Sequence, residues 1–190
     1  LTDSVFDVLV GVARHQLDDH LEGEQVGFSQ GVALGDVSRE HDNRLGPNQV
    51  GHYGMVVPSF VKQAVRNEPL TVYGEGTQTR SFCDVRDTVV ALDALAGCPE
   101  AWGEVVNVGN DEEISIRDLA QCVVQRANSS SPLHFISYKD AYGEEFEDVT
   151  HRRPVLNKLR ALTGFTPEWT LNETLDDLIQ RACGKIRRVA

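Results

Sequence analysis

The sequence predicts an α/β fold built from short strands and about five or six helices. Three observations carry that prediction. Apolar residues recur at helical spacing in separate stretches, near 55–67, 88–96, 116–128 and 171–186. Short β-type runs stand between them, at 70–73, 80–85, 103–109 and 133–137. Glycine, proline or a capping pair punctuates most of the boundaries. Alternation of this kind argues for mixed layers of helix and sheet, and 190 residues allow one domain, or one and a fraction.

Taken in order, residues 3–18 (DSVFDVLVGVARHQLD) predict an amphipathic helix with Val5, Leu9, Val12 and Ala13 on one face, widened by Phe6 and Val8. Thr2, Asp3 or Ser4 would cap it. His15 and His20, with Asp18 and Asp19, raise the question of a metal. An i, i+5 spacing puts the two imidazoles on different helix faces, so a solvated helix end is the expectation and no metal site is assigned. Residues 21–45 are polar and glycine-rich, and read as a loop or a displaced strand. Residues 47–54 form a loop offering Asn48, Gln49, His52 and Tyr53 as polar groups.

A helix follows over about 55–67, with Pro58 in its first turn, where the missing N–H costs little. The turn Asn67-Glu68-Pro69 leads to a strand at 70–73, and a second short strand is expected at 80–85. Arg86 or Asp87 opens the next helix, which Gly97 closes. Residues 103–109 (GEVVNVG) predict a buried parallel strand. Ser115 and Asp118 make a weak capping pair for a helix over about 116–128. A turn at 129–132 precedes a strand at 133–137, with His134 as an edge histidine. Residues 138–150 (YKDAYGEEFEDVT) read as an acidic connection, equally consistent with a solvated loop and with a cover over a ligand. The adjacent Arg152 and Arg153 then invite a diphosphate. A short helix over 157–163 ends at Gly164, and Thr170 with Glu173 forms a capping box for the last helix, from Leu171 to about Ile186.

Composition excludes some functions. Eighteen basic against twenty-nine acidic residues give a net charge of −11, which argues against a nucleic-acid or anionic-membrane surface. Cys83, Cys98, Cys122 and Cys183 lie far apart with no CxxC pair, so free thiols in a reducing compartment are expected. No signal peptide and no run of 18 apolar residues is present, which gives a soluble, cytoplasmic expectation.

The informative stretch is 54–87. An arginine, Arg80, follows a glycine-bracketed turn (Gly74-Glu75-Gly76) and an expected exposed tyrosine, Tyr73. That grouping suits a phosphorylated, flat-ringed ligand, and it also suits a surface hairpin with a solvated arginine. The phrase VVPSFVKQAVRNEPLTVYGEGTQTRSF, with LGPNQ before it and GEVVNVGNDEEISIRDLA and HRRPVLNKLRALTGFTPEWTLNETLDDLI after it, resembles the extended short-chain dehydrogenase/reductases acting on nucleotide sugars. These are the epimerases, 4,6-dehydratases and UDP-glucuronate decarboxylases, and the resemblance covers roughly residues 43–179.

The resemblance implies an incomplete Rossmann-like extended short-chain dehydrogenase/reductase. Residues 1–45 would be a remnant of the Rossmann half, and 46–190 the substrate-binding domain. It implies a nucleotide diphosphate sugar, UDP-type, as ligand. Asn43 would meet the phosphosugar, and Val56 and Val57 would bring backbone to the base. Leu70, Val72 and Tyr73 would bracket the base, and Arg80 and Arg152 would clamp the diphosphate. Asn107 and Gly109 fall in a family motif that fits a strand-end turn equally well.

NAD serves the family as cofactor. However, this sequence has no G-x-G-x-x-G turn and no Tyr-x-x-x-Lys pair, so the chain alone is expected neither to bind NAD nor to catalyse. A homodimer, or an N-terminal Rossmann chain supplied in trans, would be its partner. The sequence departs from the family at Val155, where an acid is usual, at Asn48, and at the charges of residues 40–42. Those departures keep a non-catalytic interaction module open as the alternative.

Overall fold

The computed structural model describes residues 43–46, 55–143 and 148–187. The expected helix over 3–18 with its histidines, most of segment 21–45, and the polar loop 47–54 lie outside the described residues. The elements in chain order are β1 (Arg44–Leu45), α1 (Val56–Val65), β2 (Leu70–Tyr73), β3 (Thr79–Ser81), β4 (Cys83–Asp84) and α2 (Val85–Ala96). A 3-10 turn (Pro99–Ala101) precedes β5 (Glu113–Ser115), α3 (Ile116–Arg126), β6 (Leu133–Ile136) and α4 (Tyr138–Tyr142). The last elements are β7 (His151–Arg152), α5 (Asn157–Thr163) and α6 (Leu171–Arg187). The fold is α/β, as the sequence predicts.

The strands form three small sheets: β1 with β4, parallel; β2 with β6, parallel; and β5-β3-β7, in which β3 is antiparallel to β5 and parallel to β7. The main core gathers the inward faces of α1, α3 and α6 over β2. Val57, Phe60, Val61 and Ala64 meet Leu70 and Val72, Leu119 and Val123, and Leu175 and Ile179. These positions follow the 3.6 and 2.0 periodicities read in the sequence. A second core joins Ala91 and Leu95 of α2 to Leu156, Leu159 and Phe165.

Helix ends follow the local chemistry. α1 stops where Asn67 takes a left-handed φ of 54°, and α3 stops where Asn128 takes 48°. Asparagine tolerates that region better than other side chains bearing a Cβ. The Ser115 side chain accepts from the Asp118 N–H, as the capping pair predicts. Thr170 and Glu173 exchange the hydrogen bonds of a capping box. α2 begins one residue earlier than expected because the Asp84 carboxylate caps it, accepting from Arg86 N.

Four expectations need correction. Residues 103–109 do not form a buried strand: no described strand lies alongside, and Val105 is 76% exposed. The segment lies instead against α5, where Lys158 donates to the Val105 carbonyl and Asn107 donates to that of Val155. The single strand expected at 80–85 is two, β3 and β4, divided at the buried Phe82. Residues 113–115 and 151–152, read only as a cap and an arginine pair, are strands flanking β3. Within the acidic stretch 138–150, α4 forms under a Ser137 cap.

Candidate functional site

The β5-β3-β7 sheet places the two candidate arginines together. In the parallel ladder Thr79 pairs with His151 and Arg80 with Arg152, so the two guanidinium-bearing residues stand side by side on one face. The alternation of the strands sends their neighbours to the other face. There the Thr79 hydroxyl donates to Glu113 at 2.6 Å and meets His151 Nδ1 at 2.8 Å. Arg153, the second of the adjacent arginines, is exposed and stands 3.9 Å from Glu113, away from the Arg80–Arg152 pair.

Arg80 is held tightly. Its Nη1 donates to the carbonyls of Thr79 and Val149, each at 2.7 Å, and its Nη2 donates to Asp148 at 2.6 Å. Only 11% of its side chain is exposed. The Tyr138 hydroxyl donates to the other Asp148 oxygen at 2.6 Å. Arg152 differs: among the described residues its guanidinium has no hydrogen-bond or ion-pair partner. Burial, and then the neighbouring Arg80 charge, hold its pKa below the ordinary arginine value, and Asp148 opposes them. Among the described residues, a half-buried cation without a partner, next to a matched one, leaves a local positive site.

The remaining sequence candidates divide by burial. Leu70 and Val72 point into the core with no exposed surface, and Val57 is equally enclosed, so only their backbone could face a ligand. Val56 is half-buried against the same core. Tyr73 is 39% exposed at the end of β2, beside the Gly74 turn, and its carbonyl accepts from Gln78. The Asn43 carbonyl accepts from Cys83 N, which extends the β1–β4 ladder and brings Asn43 to the chain just after β3. Asn107 reaches Val155, and Gly109 lies under Pro154. Sequence reading missed Asp148 and Tyr138. The available signal was an acidic stretch ahead of an arginine pair, which has a use only once a buried arginine needs a counter-charge.

Residues 41–109 match the family model described as NAD dependent epimerase/dehydratase family. The chain is 35% identical over 139 residues to a UDP-N-acetyl-alpha-D-glucosaminuronate decarboxylase of Bacillus cytotoxicus, an alignment covering 73% of this chain and 43% of that protein. Its fold is similar to an epimerase of Methanothermobacter thermautotrophicus, with a TM-score of 0.68 and 25% identity over 77% of this chain and 43% of that one. It is also similar to a UDP-glucuronic acid 4-epimerase of Bacillus cereus in complex with NAD, with a TM-score of 0.60 and 25% identity over 74% and 43% of the two chains. The chain thus spans under half the length of these relatives.

Proposed function

We propose that this chain, whose residues 41–109 match the NAD dependent epimerase/dehydratase family, forms the part that grips a UDP-type nucleotide diphosphate sugar. The observation that carries this reading is the in-register pairing of Arg80 with Arg152. Two guanidinium groups on one face match a diphosphate, whose oxygens accept two or more charge-assisted hydrogen bonds. Arg152, unpartnered among the described residues, supplies the free charge, and Arg80 supplies a fixed one. Tyr73 offers a half-exposed ring beside the turn for the base, and the Val56, Val57, Leu70 and Val72 positions offer backbone along its edge. Asn43, held beside Cys83 through its backbone carbonyl, is the residue assigned to the phosphosugar.

The NAD that the family uses does not fit the described residues. Gly74 and Gly76 lie in a turn between β2 and β3, not at the opening of a helix, and Gly103 and Gly109 bracket an unpaired segment. Dinucleotide pyrophosphate needs backbone N–H groups at a strand–turn–helix junction. We therefore assign the described residues a substrate grip and no part in holding NAD.

A non-catalytic interaction module is the second reading, and the exposed Val105 (76%) and Val155 (66%) favour it. Titration calorimetry separates the two. UDP should bind the folded chain, and Arg80→Ala should weaken it at least about tenfold, the loss expected for one hydrogen bond to a charged group. UDP affinity unchanged by Arg80→Ala would sink the grip assigned to it.

A further inference from the structure

We propose that Asp148, held by the Tyr138 hydroxyl, is the positioning residue that presents Arg80 to the diphosphate. This rests on the diphosphate reading above. Of the five N–H donors on a guanidinium, Arg80 commits three: two on Nη1 to the Thr79 and Val149 carbonyls, and one on Nη2 to Asp148. Among the described residues, the Nε edge and one Nη2 hydrogen have no further acceptor. Bonds on two sides of the planar group fix both its position and its tilt, leaving one defined edge for a phosphate oxygen.

The support continues away from the arginine. Asp148 Oδ1 takes Arg80 and Oδ2 takes Tyr138, so the carboxylate is fixed from both ends. The Tyr138 ring is fixed in turn because it lies on Gly74. A Cβ built at Gly74 would stand 2.5 Å from Tyr138 Cε2, and Gly74 has a φ of +64°, so a side chain there would displace the ring and strain the backbone. The turn after β2, α4 and the end of β3 are thereby coupled through one phenol and one carboxylate. Asp148 also offsets the repulsion between Arg80 and Arg152. Among the described residues, the two arginines and Asp148 together carry one net positive charge, and the unpartnered share sits on Arg152.

An internal carboxylate beside two arginines could instead compete with the phosphate. The two roles give opposite signs on removal, which makes the proposal testable. UDP and UMP are titrated into the full chain and into Asp148→Ala, Asp148→Asn, Tyr138→Phe and Arg80→Ala, each checked for native circular dichroism. If Asp148 positions Arg80, Asp148→Ala weakens UDP about tenfold and lowers the UDP-to-UMP affinity ratio, while Asp148→Asn, which keeps an acceptor at Oδ1, retains most of that ratio. Tyr138→Phe gives a smaller fall of the same sign, about threefold, since it removes only the hydroxyl. General loosening of the fold would weaken UDP and UMP alike and leave the ratio unmoved, which overturns the proposal. Unchanged or tighter UDP binding in Asp148→Ala also overturns it, and tighter binding identifies a competitor. If Arg80→Ala binds UDP as well as the parent does, or the parent binds no UDP, the diphosphate reading itself fails.

Discussion

Replacing Arg152 with glutamine should remove ligand affinity without loss of stability, the reverse of what most half-buried positions do. In the described structure Arg152 has no hydrogen-bond or ion-pair partner for its charge, and it stands in register with Arg80. Glutamine keeps much of the aliphatic stem and removes the like-charge contact, so stability should stay level or rise by up to about 1 kcal/mol, the range for cross-strand charge pairs. The same change removes a hydrogen bond to a charged phosphate, on the order of 1.5–3 kcal/mol or about 10- to 150-fold in affinity. Arg80→Ala is the internal contrast. It breaks bonds to two carbonyls and to Asp148, whose carboxylate is 23% exposed and would keep the Tyr138 hydroxyl as its one hydrogen-bond donor among the described residues, so it should cost about 1–3 kcal/mol of stability. For a chain of this size that is a fall of roughly 2–12 °C in Tm. Urea unfolding followed by circular dichroism, paired with UDP titration, reads both quantities. A loss of more than about 1 kcal/mol in Arg152→Gln would show that the side chain holds the fold together, and would refute the reasoning.

Two further predictions concern the fold. Asp84 is 1% exposed and receives Arg86 N, Nε and Nη2 and the Thr174 hydroxyl, which ties the start of α2 to α6. Burial pushes its pKa up, but those hydrogen bonds outweigh it and hold the value below the ordinary 3.8. A depressed folded pKa means the unfolded chain binds the proton more tightly. The contribution is therefore whole above about pH 4 and is lost as pH falls through the folded value. Asp84→Asn should lose about 1–3 kcal/mol at pH 7 and show a shallower decline below pH 4 in acid titrations of Tm, and an unchanged slope would exclude Asp84 as a source. Burial raises the Cys83 thiol to about 11. In native protein at pH 8 a thiol reagent should therefore modify Cys83 only at the rate of unfolding, and mass mapping that finds Cys83 labelled first would contradict its placement.

How far the sequence disclosed these features follows from physical range. α1, α3 and α6 were legible because each has a continuous apolar stripe, and Ser115, Thr170 and Gly164 mark ends through contacts three or four residues away. β5 and β7 were not legible. Each has two or three residues and exists only because β3 lies between them, a pairing that bridges 32 or more positions. The 103–109 run misled because alternating valines signal a strand only if a neighbour is there to pair with, and the described residues supply α5 instead. Arg80 and Arg152 were legible one at a time through family likeness. That they share one face, that Asp148 and Tyr138 fix the first, and that the second is unpartnered among the described residues came from the sheet register alone.

A crystal structure of the chain soaked with UDP tests the central claim most directly. Diphosphate oxygens are expected about 2.7–2.9 Å from the guanidinium nitrogens of both Arg80 and Arg152, the range for charge-assisted hydrogen bonds, with Asp148 still on Arg80. Diphosphate density at another place on the molecule, or a nucleotide touching neither arginine, would contradict it.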